Sequence, residues 1–339
     1  MSADFPDART MRAALTLATR APSVHNSQPW HFRVGPNSLH LHADPSRHLP
    51  NTDPDRRDML LSCGAVLHHS AVALAAMGWR ARVHRFPDPA DDGHLAAVEV
   101  VAQAPDELDV VLAAAIARRR TDRRTYSCWP VPWGDVALMG SRAARAGVML
   151  RQIDLLPRLS AIVAESAARH AADADYLGEL RAWSGRHGSV VGVPARNTPV
   201  PEPDAAIPGR VFSDPVLPQA PRSPAAEDSG VIVALGTETD DDLARLRAGE
   251  ATSLVLLSAT AMGLATCPLT EPLEIPETRA AVRADVFCSS GHPQMLVRAG
   301  WTAINAEPLP ATPRRPRPEV VHWLHDGAFV VGADAAGRT

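Results

Sequence analysis

The chain contains no lysine; all 34 of its basic residues are arginine. That excludes a Schiff-base enzyme and a phosphate-binding P-loop of the usual lysine-bearing kind. Aromatic residues make up only 4%, too few for a base-stacking platform, and a net charge of −4 argues against binding a nucleic-acid backbone. The four cysteines, Cys63, Cys128, Cys267 and Cys288, form no CxxC pair, so neither a disulfide framework nor a zinc site is expected. GxGxxG, GxSxG and HExxH are also missing. His68 and His69 are adjacent and therefore point to different sides of a helix, which suits packing rather than metal binding. The first residues have no signal-peptide pattern and the apolar runs fall short of a bilayer span. The expectation is a cytoplasmic protein with no nucleic-acid or membrane partner and no metal.

What is present suits a large soluble core: 339 residues, 45% hydrophobic. Thr10 to Thr19 has a helical stripe of Met11, Ala14, Leu15 and Ala18 that must stop before Pro22. Trp30, Phe32 and Val34 alternate as a strand, and Leu39 to His42 is its hairpin partner. Ser62 to Trp79 and Arg247 to Leu264 read as helices apolar nearly all round, hence central. Sliding one onto the other matches Gly64 with Gly249 and Met77-Gly78 with Met262-Gly263, which points to an internal duplication. Two such halves, 1–107 and 108–339, would present buried helices to each other as a two-fold dimer does. Residues 194–224 are Pro-rich and too long for an ordinary connection, as in a lid or a disordered loop.

Two stretches carry candidate chemistry. APSVHNSQPW, Ala21 to Trp30, crowds polar groups between two prolines, as a surface loop or a ligand-facing loop would. The run Arg118, Arg119, Arg120, Thr121, Asp122, Arg123, Arg124 is either a solvated helix end or an anion site, because guanidinium forks bind phosphate. Arg314 and Arg315 pose the same choice. No side chain is singled out as a catalytic acid, base or nucleophile.

PSVHNSQPW, SCGAVLHH, RRRTDRR, RAGEATS, GLATCPL and TPRRP, in that order, resemble the nitroreductase superfamily, and more closely its tandem Acg-type branch. The resemblance covers nearly the whole chain. It implies an α+β, nitroreductase-like fold in which two fused half-repeats mimic the superfamily homodimer, with segment 194–224 as a lid. It implies FMN as cofactor and NADPH or NADH as reductant. Pro22, Ser23, His25 and Asn26 would be flavin contacts, with Gln28, Pro29 and Trp30 completing that motif. Arg119, Arg120, Thr121 and Arg123 match the first basic run that holds the phosphate and ribityl chain, and Arg314 with Arg315 match the second. Thr270, beside Glu271, lies near the turn that passes the ring. Arg120 or Arg123 would balance negative charge on the reduced flavin. The loop occurs only in the first half and the arginine run only in the second, so one FMN per chain is expected, in a monomer that acts as a pseudo-dimer. The activity implied is reduction of a nitro compound or quinone. The alternative is an FMN-storing protein, tied to stress or dormancy, with little turnover.

Overall fold

A computed structural model describes residues 5–202, 205–219, 228–325 and 328–330. Parts of the Pro-rich segment, 203–204 and 220–224, lie outside the described residues. In the first half α1 (Ala8–Ala18) precedes the hairpin β1 (Trp30–Val34) and β2 (Leu39–Ala43), then α2 (Arg57–Ala76), β3 (Trp79–Arg85) and β4 (His94–Ala102). Helix α3 (Glu107–Arg118) leads into the second half: α4 (Trp133–Arg145), β5 (Met149–Gln152), α5 (Leu156–Ala171), α6 (Ala174–Trp183) and β6 (Val231–Thr237). There follow α7 (Asp242–Ala261), β7 (Ala265–Leu269), α8 (Glu271–Glu274), α9 (Pro276–Phe287) and β8 (His292–Gly300). The chain closes with α10 (Arg317–Val320), β9 (Val321–His325) and β10 (Ala328–Val330).

The strands form two sheets, ordered β10-β9-β1-β2-β4-β3 and β5-β6-β8-β7. Strands β1-β2-β4-β3 and β5-β6-β8-β7 are each antiparallel throughout, with α2 and α7 at the same place in the connection. Strand β9 lies parallel to β1. Residues 317–325 therefore complete the first sheet, although they lie within 108–339 of the sequence.

Helices α2 and α7 cross at the centre and touch backbone to backbone. A Cβ on Gly64 would stand 2.0 Å from the Leu246 carbonyl oxygen, and one on Gly249 would stand 2.1 Å from that of Leu61. Glycine is required on both sides of this crossing because no other residue fits. The contact is reciprocal: adding 185, the separation of His68 and Ser253, to an α2 number gives its α7 counterpart. Leu61 belongs to the second sheet's core and Leu246 to the first sheet's. His68 and His69 each place Nδ1 against Ser253 Oγ, at 2.7 and 2.8 Å, so both are packing residues of this interface.

Both helices begin five residues before the expected start and end three before the expected finish. The early starts come from caps that the apolar pattern does not show. Asp53 accepts from the Asp58 and Met59 N–H groups, each at 2.8 Å, and Asp241 accepts from that of Ala244. Both helices stop at a glycine with positive φ, Gly78 at 87° and Gly263 at 90°. Among the described residues α2 is the one helix long and apolar enough to cross a membrane, and 78% of that stretch is buried inside the protein.

Candidate cofactor cavity

Pro22 ends α1 and opens a loop in which His25, Asn26 and Gln28 have φ of 43°, 54° and 53°. Left-handed backbone at three non-glycine residues is unfavourable and persists only where surrounding bonds enforce it. The loop's own polar groups supply many of those bonds. Ser23 Oγ accepts from the Gln28 N–H at 2.9 Å, and Ser62 Oγ accepts from that of Val24 at 3.0 Å. Asn26 Nδ2 donates to the carbonyls of Gly192 and Pro313, at 3.1 and 3.2 Å. Gln28 Nε2 donates to the Val190 carbonyl, and its Oε1 accepts from the Arg315 N–H at 2.8 Å. The motif thus divides. Pro22, Ser23 and His25 line a cavity, whereas Asn26 and Gln28 tie the loop to the rest of the chain. The Pro29 carbonyl accepts from the Cys63 thiol, and Trp30 is wholly buried in the first core.

The cavity lies between the first turns of α2, the loop, β7 and α8, with Pro199, Pro201, Ile207, Pro208, Arg210 and Phe212 forming a further wall. Thr121, Arg123 and Thr270 join Pro22, Ser23 and His25 in its wall. Arg123 stacks 4.8 Å from the Phe212 ring centre. Burial lowers the Arg123 pKa, and the Arg210 charge nearby adds to that. Arg298, lying 4.2 Å above the Tyr126 ring centre, is another lining cation.

Arg210 ties that further wall to α8 and to the loop. Its Nη2 donates to Glu274 Oε1 at 2.6 Å and to Thr270 Oγ1 at 3.3 Å, and its Nη1 donates to His25 Nε2 at 2.6 Å. An arginine only donates, so His25 is neutral with its proton on Nδ1, an atom without a partner. Burial holds the His25 pKa well below its usual value, and Arg210 pushes it further down. Nothing local in the sequence marks Arg210, Glu274 or Asp58 as lining or latching residues.

A second cluster adjoins the cavity through Thr121, whose Oγ1 is 3.5 Å from Arg119 Nη1. Arg20, Arg119, Arg120 and Arg314 crowd together here, and among the described residues none of them forms an ion pair with a carboxylate. Burial, then Arg120 and Arg20, lowers Arg119 to about 10; burial, then Arg119, Arg20 and Arg120, lowers Arg314 to about 9. Arg119 and Arg314 therefore remain charged at neutral pH. Only carbonyl oxygens answer much of that charge: Arg314 donates to those of Arg20 and Ala21, and Arg120 to those of Ala117 and Leu309. The Nε atoms of Arg20, Arg119 and Arg314 are buried without any partner. Orphaned donors beside uncompensated charge fit a phosphate group. Arg315 differs, since it pairs with Asp44 at 3.3 Å and Glu319 at 3.4 Å. Arg124 is likewise neutralised, by Asp122 at 2.8 Å. Arg20, outside the basic run, was not legible as a member. Among the described residues no group of three or more His, Cys, Asp or Glu is placed to share a metal ion.

A cavity beside an arginine cluster of this kind, in an α+β fold, is suited to an anionic ligand. No family model matches the chain. Two Mycobacterium tuberculosis relatives carry the name "Putative NAD(P)H nitroreductase". One is 62% identical over 95% of this chain and 94% of its own length; the other, with the suffix acg, is 38% identical over 92% and 95%. The chain belongs to the nitroreductase superfamily, in its Acg-type branch. Among solved structures it is similar to a nitroreductase with bound FMN from Desulfitobacterium hafniense, at 13% identity, 63% of this chain, 98% of that one and a TM-score of 0.41. It is also similar to an FMN-dependent nitroreductase from Mycobacterium smegmatis in complex with NADPH, at 16%, 63%, 97% and 0.39. These likenesses are too distant to carry an argument.

Proposed function

We propose that this protein is an FMN-dependent NAD(P)H oxidoreductase that reduces nitro compounds or quinones at one flavin site per chain. The observation that carries the proposal is the group of four arginines without a carboxylate next to a cavity lined by Ser23, His25 and Thr270. Arg20, Arg119 and Arg314 would hold the phosphate, with Arg120 at the edge. Thr121 connects that cluster to the cavity, whose wall near the ring would include Ser23 and Thr270. Bound FMN would supply two-electron transfer between the nicotinamide and the acceptor. Arg123 and Arg298, both lining the cavity, would supply fixed positive charge to offset the negative charge that the flavin gains on reduction.

We further infer that the chain is a fused pseudo-dimer. Supporting this are the shared strand order, the reciprocal glycine contact and the constant offset between α2 and α7. The offset also bears on the number of sites. Asp58, Ser62 and Ala65 line the cavity, and their α7 counterparts are Leu243, Arg247 and Glu250. Where the cavity has the small Ala65, the mirrored position carries a glutamate bound to Arg85 by two hydrogen bonds, of 2.9 and 2.6 Å. A filled counterpart suits one flavin per chain. On the same reading, the wall formed by residues 205–212 acts as a lid held by Arg210.

The deciding experiment is anaerobic. Protein loaded with one FMN per chain is mixed with NADPH, then NADH, and the oxidised-flavin absorbance is followed. Bleaching reversed by a quinone or nitroaromatic is the expected result. Flavin that stays oxidised with both nucleotides would sink the reductase reading and leave flavin storage.

A further inference from the structure

Of the residues lining the cavity, two carry a buried N–H without a partner among the described residues: Arg298 at Nε and His25 at Nδ1. Arg298 is a cation, answered in part by Asp228 at 3.7 Å and by the Tyr126 ring. His25 is neutral and only 6% exposed. A buried donor left open in a cavity wall has a hydrogen bond to offer a ligand.

The tautomer of His25 is imposed by the wall of residues 205–212. Arg210 Nη1 donates to Nε2 at 2.6 Å, so the ring proton has to sit on Nδ1. Without that bond an imidazole prefers its proton on Nε2. Arg210 is itself held from behind, by Glu274 Oε1 at 2.6 Å and Thr270 Oγ1 at 3.3 Å. Thr270 is no substitute as a donor, since its own hydroxyl proton goes to Glu274 Oε1 at 2.7 Å. Phe212, from the same wall as Arg210, meets the His25 ring edge-on, with ring centres 6.0 Å apart. The backbone of His25 is held at a φ of 43°, which fixes where the ring stands.

Burial, then the charges of Arg210, Arg123 and His170, oppose a second proton on the ring. His25 therefore offers its N–H as a neutral imidazole. Such a ring polarises a carbonyl and stabilises the oxygen anion formed from it without giving up its own proton.

We propose that His25 donates its Nδ1–H to the oxygen of the acceptor, a quinone carbonyl or a nitro group, and that Arg210 sets it to do so by seating on Nε2. This rests on the oxidoreductase reading. If the wall of residues 205–212 moves to admit the acceptor, the donor is set only when that wall is back in place. For a quinone, hydride transfer adds two electrons and one hydrogen and leaves one oxygen negative. The Nδ1–H bond is kept, and its hydrogen bond to that oxygen strengthens. A proton from water then joins the oxygen, and hydroquinone leaves. Each turnover oxidises one nicotinamide dinucleotide, reduces one quinone and consumes one proton.

Two measurements test this. Nitrogen NMR of flavin-free protein labelled in histidine should show His25 protonated at Nδ1, and Arg210→Met should move that proton to Nε2. A wild-type ring protonated at Nε2 would overturn the proposal. Next, FMN-loaded protein is reduced with dithionite and mixed with benzoquinone, so that the nicotinamide step is bypassed. His25→Leu should slow this oxidation about 100-fold, as loss of one oxyanion donor does. The midpoint potential of its bound FMN should stay as in the wild type. His25→Asn places an amide N–H where Nδ1 stood and suits a left-handed backbone, so it should recover most of the rate. An unchanged rate in His25→Leu, or equal losses in the Leu and Asn variants, would overturn the donor role. A shifted FMN potential in His25→Leu would place the donor on the flavin and overturn it too. Failure of NAD(P)H to reduce the wild-type flavin would instead count against the oxidoreductase reading.

Discussion

Two groups of arginines flank one cavity and are treated in opposite ways. Arg57 and Arg210 meet carboxylates at 2.6 Å, whereas Arg314 meets carbonyls, Arg119 the Thr121 hydroxyl, and both lie against other cations. A paired guanidinium holds the fold, since removing it strands a buried carboxylate. An uncompensated one raises the energy of the empty site and is positioned to recover that energy on binding an anion. Charge is thus divided between architecture and ligand.

The sharpest way to break this contrast is the double substitution Arg119→Ala with Arg314→Ala. FMN affinity should fall about 100-fold or more, since each charged hydrogen bond contributes roughly 1.5–3 kcal/mol. The flavin-free protein should melt no earlier, because like charges have been separated. Calorimetric titration and thermal melting read the two effects, and unchanged affinity would remove the cluster from the site. Arg210→Ala should do the reverse. It leaves Glu274 and Glu271 without their guanidinium and should cost roughly 3–5 kcal/mol in urea unfolding, together with faster FMN exchange.

A half-buried histidine at the helix crossing gives an intermediate case. Burial lowers the His68 pKa from 6.5 to about 4. Its folded value lies below its unfolded one, so the associated stability is present above pH 6.5 and is lost as pH falls toward 4. The amount is of order 3 kcal/mol. Urea unfolding of His68→Asn should decline less between pH 7 and pH 4.5 than that of the wild type; parallel declines would exclude His68 as the cause. The smallest effect expected is that of Gly64→Ala. With 2.0 Å to the Leu246 carbonyl oxygen, α2 and α7 must part, at a cost of roughly 1–3 kcal/mol seen as a lowered melting temperature.

Much of the fold was legible because its signals are periodic. Met11, Ala14, Leu15 and Ala18 are all fully buried on α1, and Trp30, Phe32 and Val34 all point into the core from β1. The starts of α2 and α7 were placed late because Asp53 and Asp241 cap them from outside the apolar runs. At the site, the motifs located the region but not the role of each residue. Asn26, Gln28 and Trp30 match as strongly as Ser23 and His25, yet they brace the loop or fill the core. Arg315 stands next to Arg314 in the same motif, yet Asp44 and Glu319 occupy it. Arg20, Asp58 and Arg210 belong to no motif.

The sequence by itself determined α1, the β1–β2 hairpin, the two central helices, the polar loop and the chemistry available, since these follow from neighbours a few positions apart. Only the tertiary structure decided which arginines stay without a carboxylate, that Arg210 ties its wall to α8 and to the loop, and that His25 Nδ1 is left without a partner. Electrostatic pairing depends on distances between segments as far apart as Arg20 and Arg314, and local pattern carries no record of those distances.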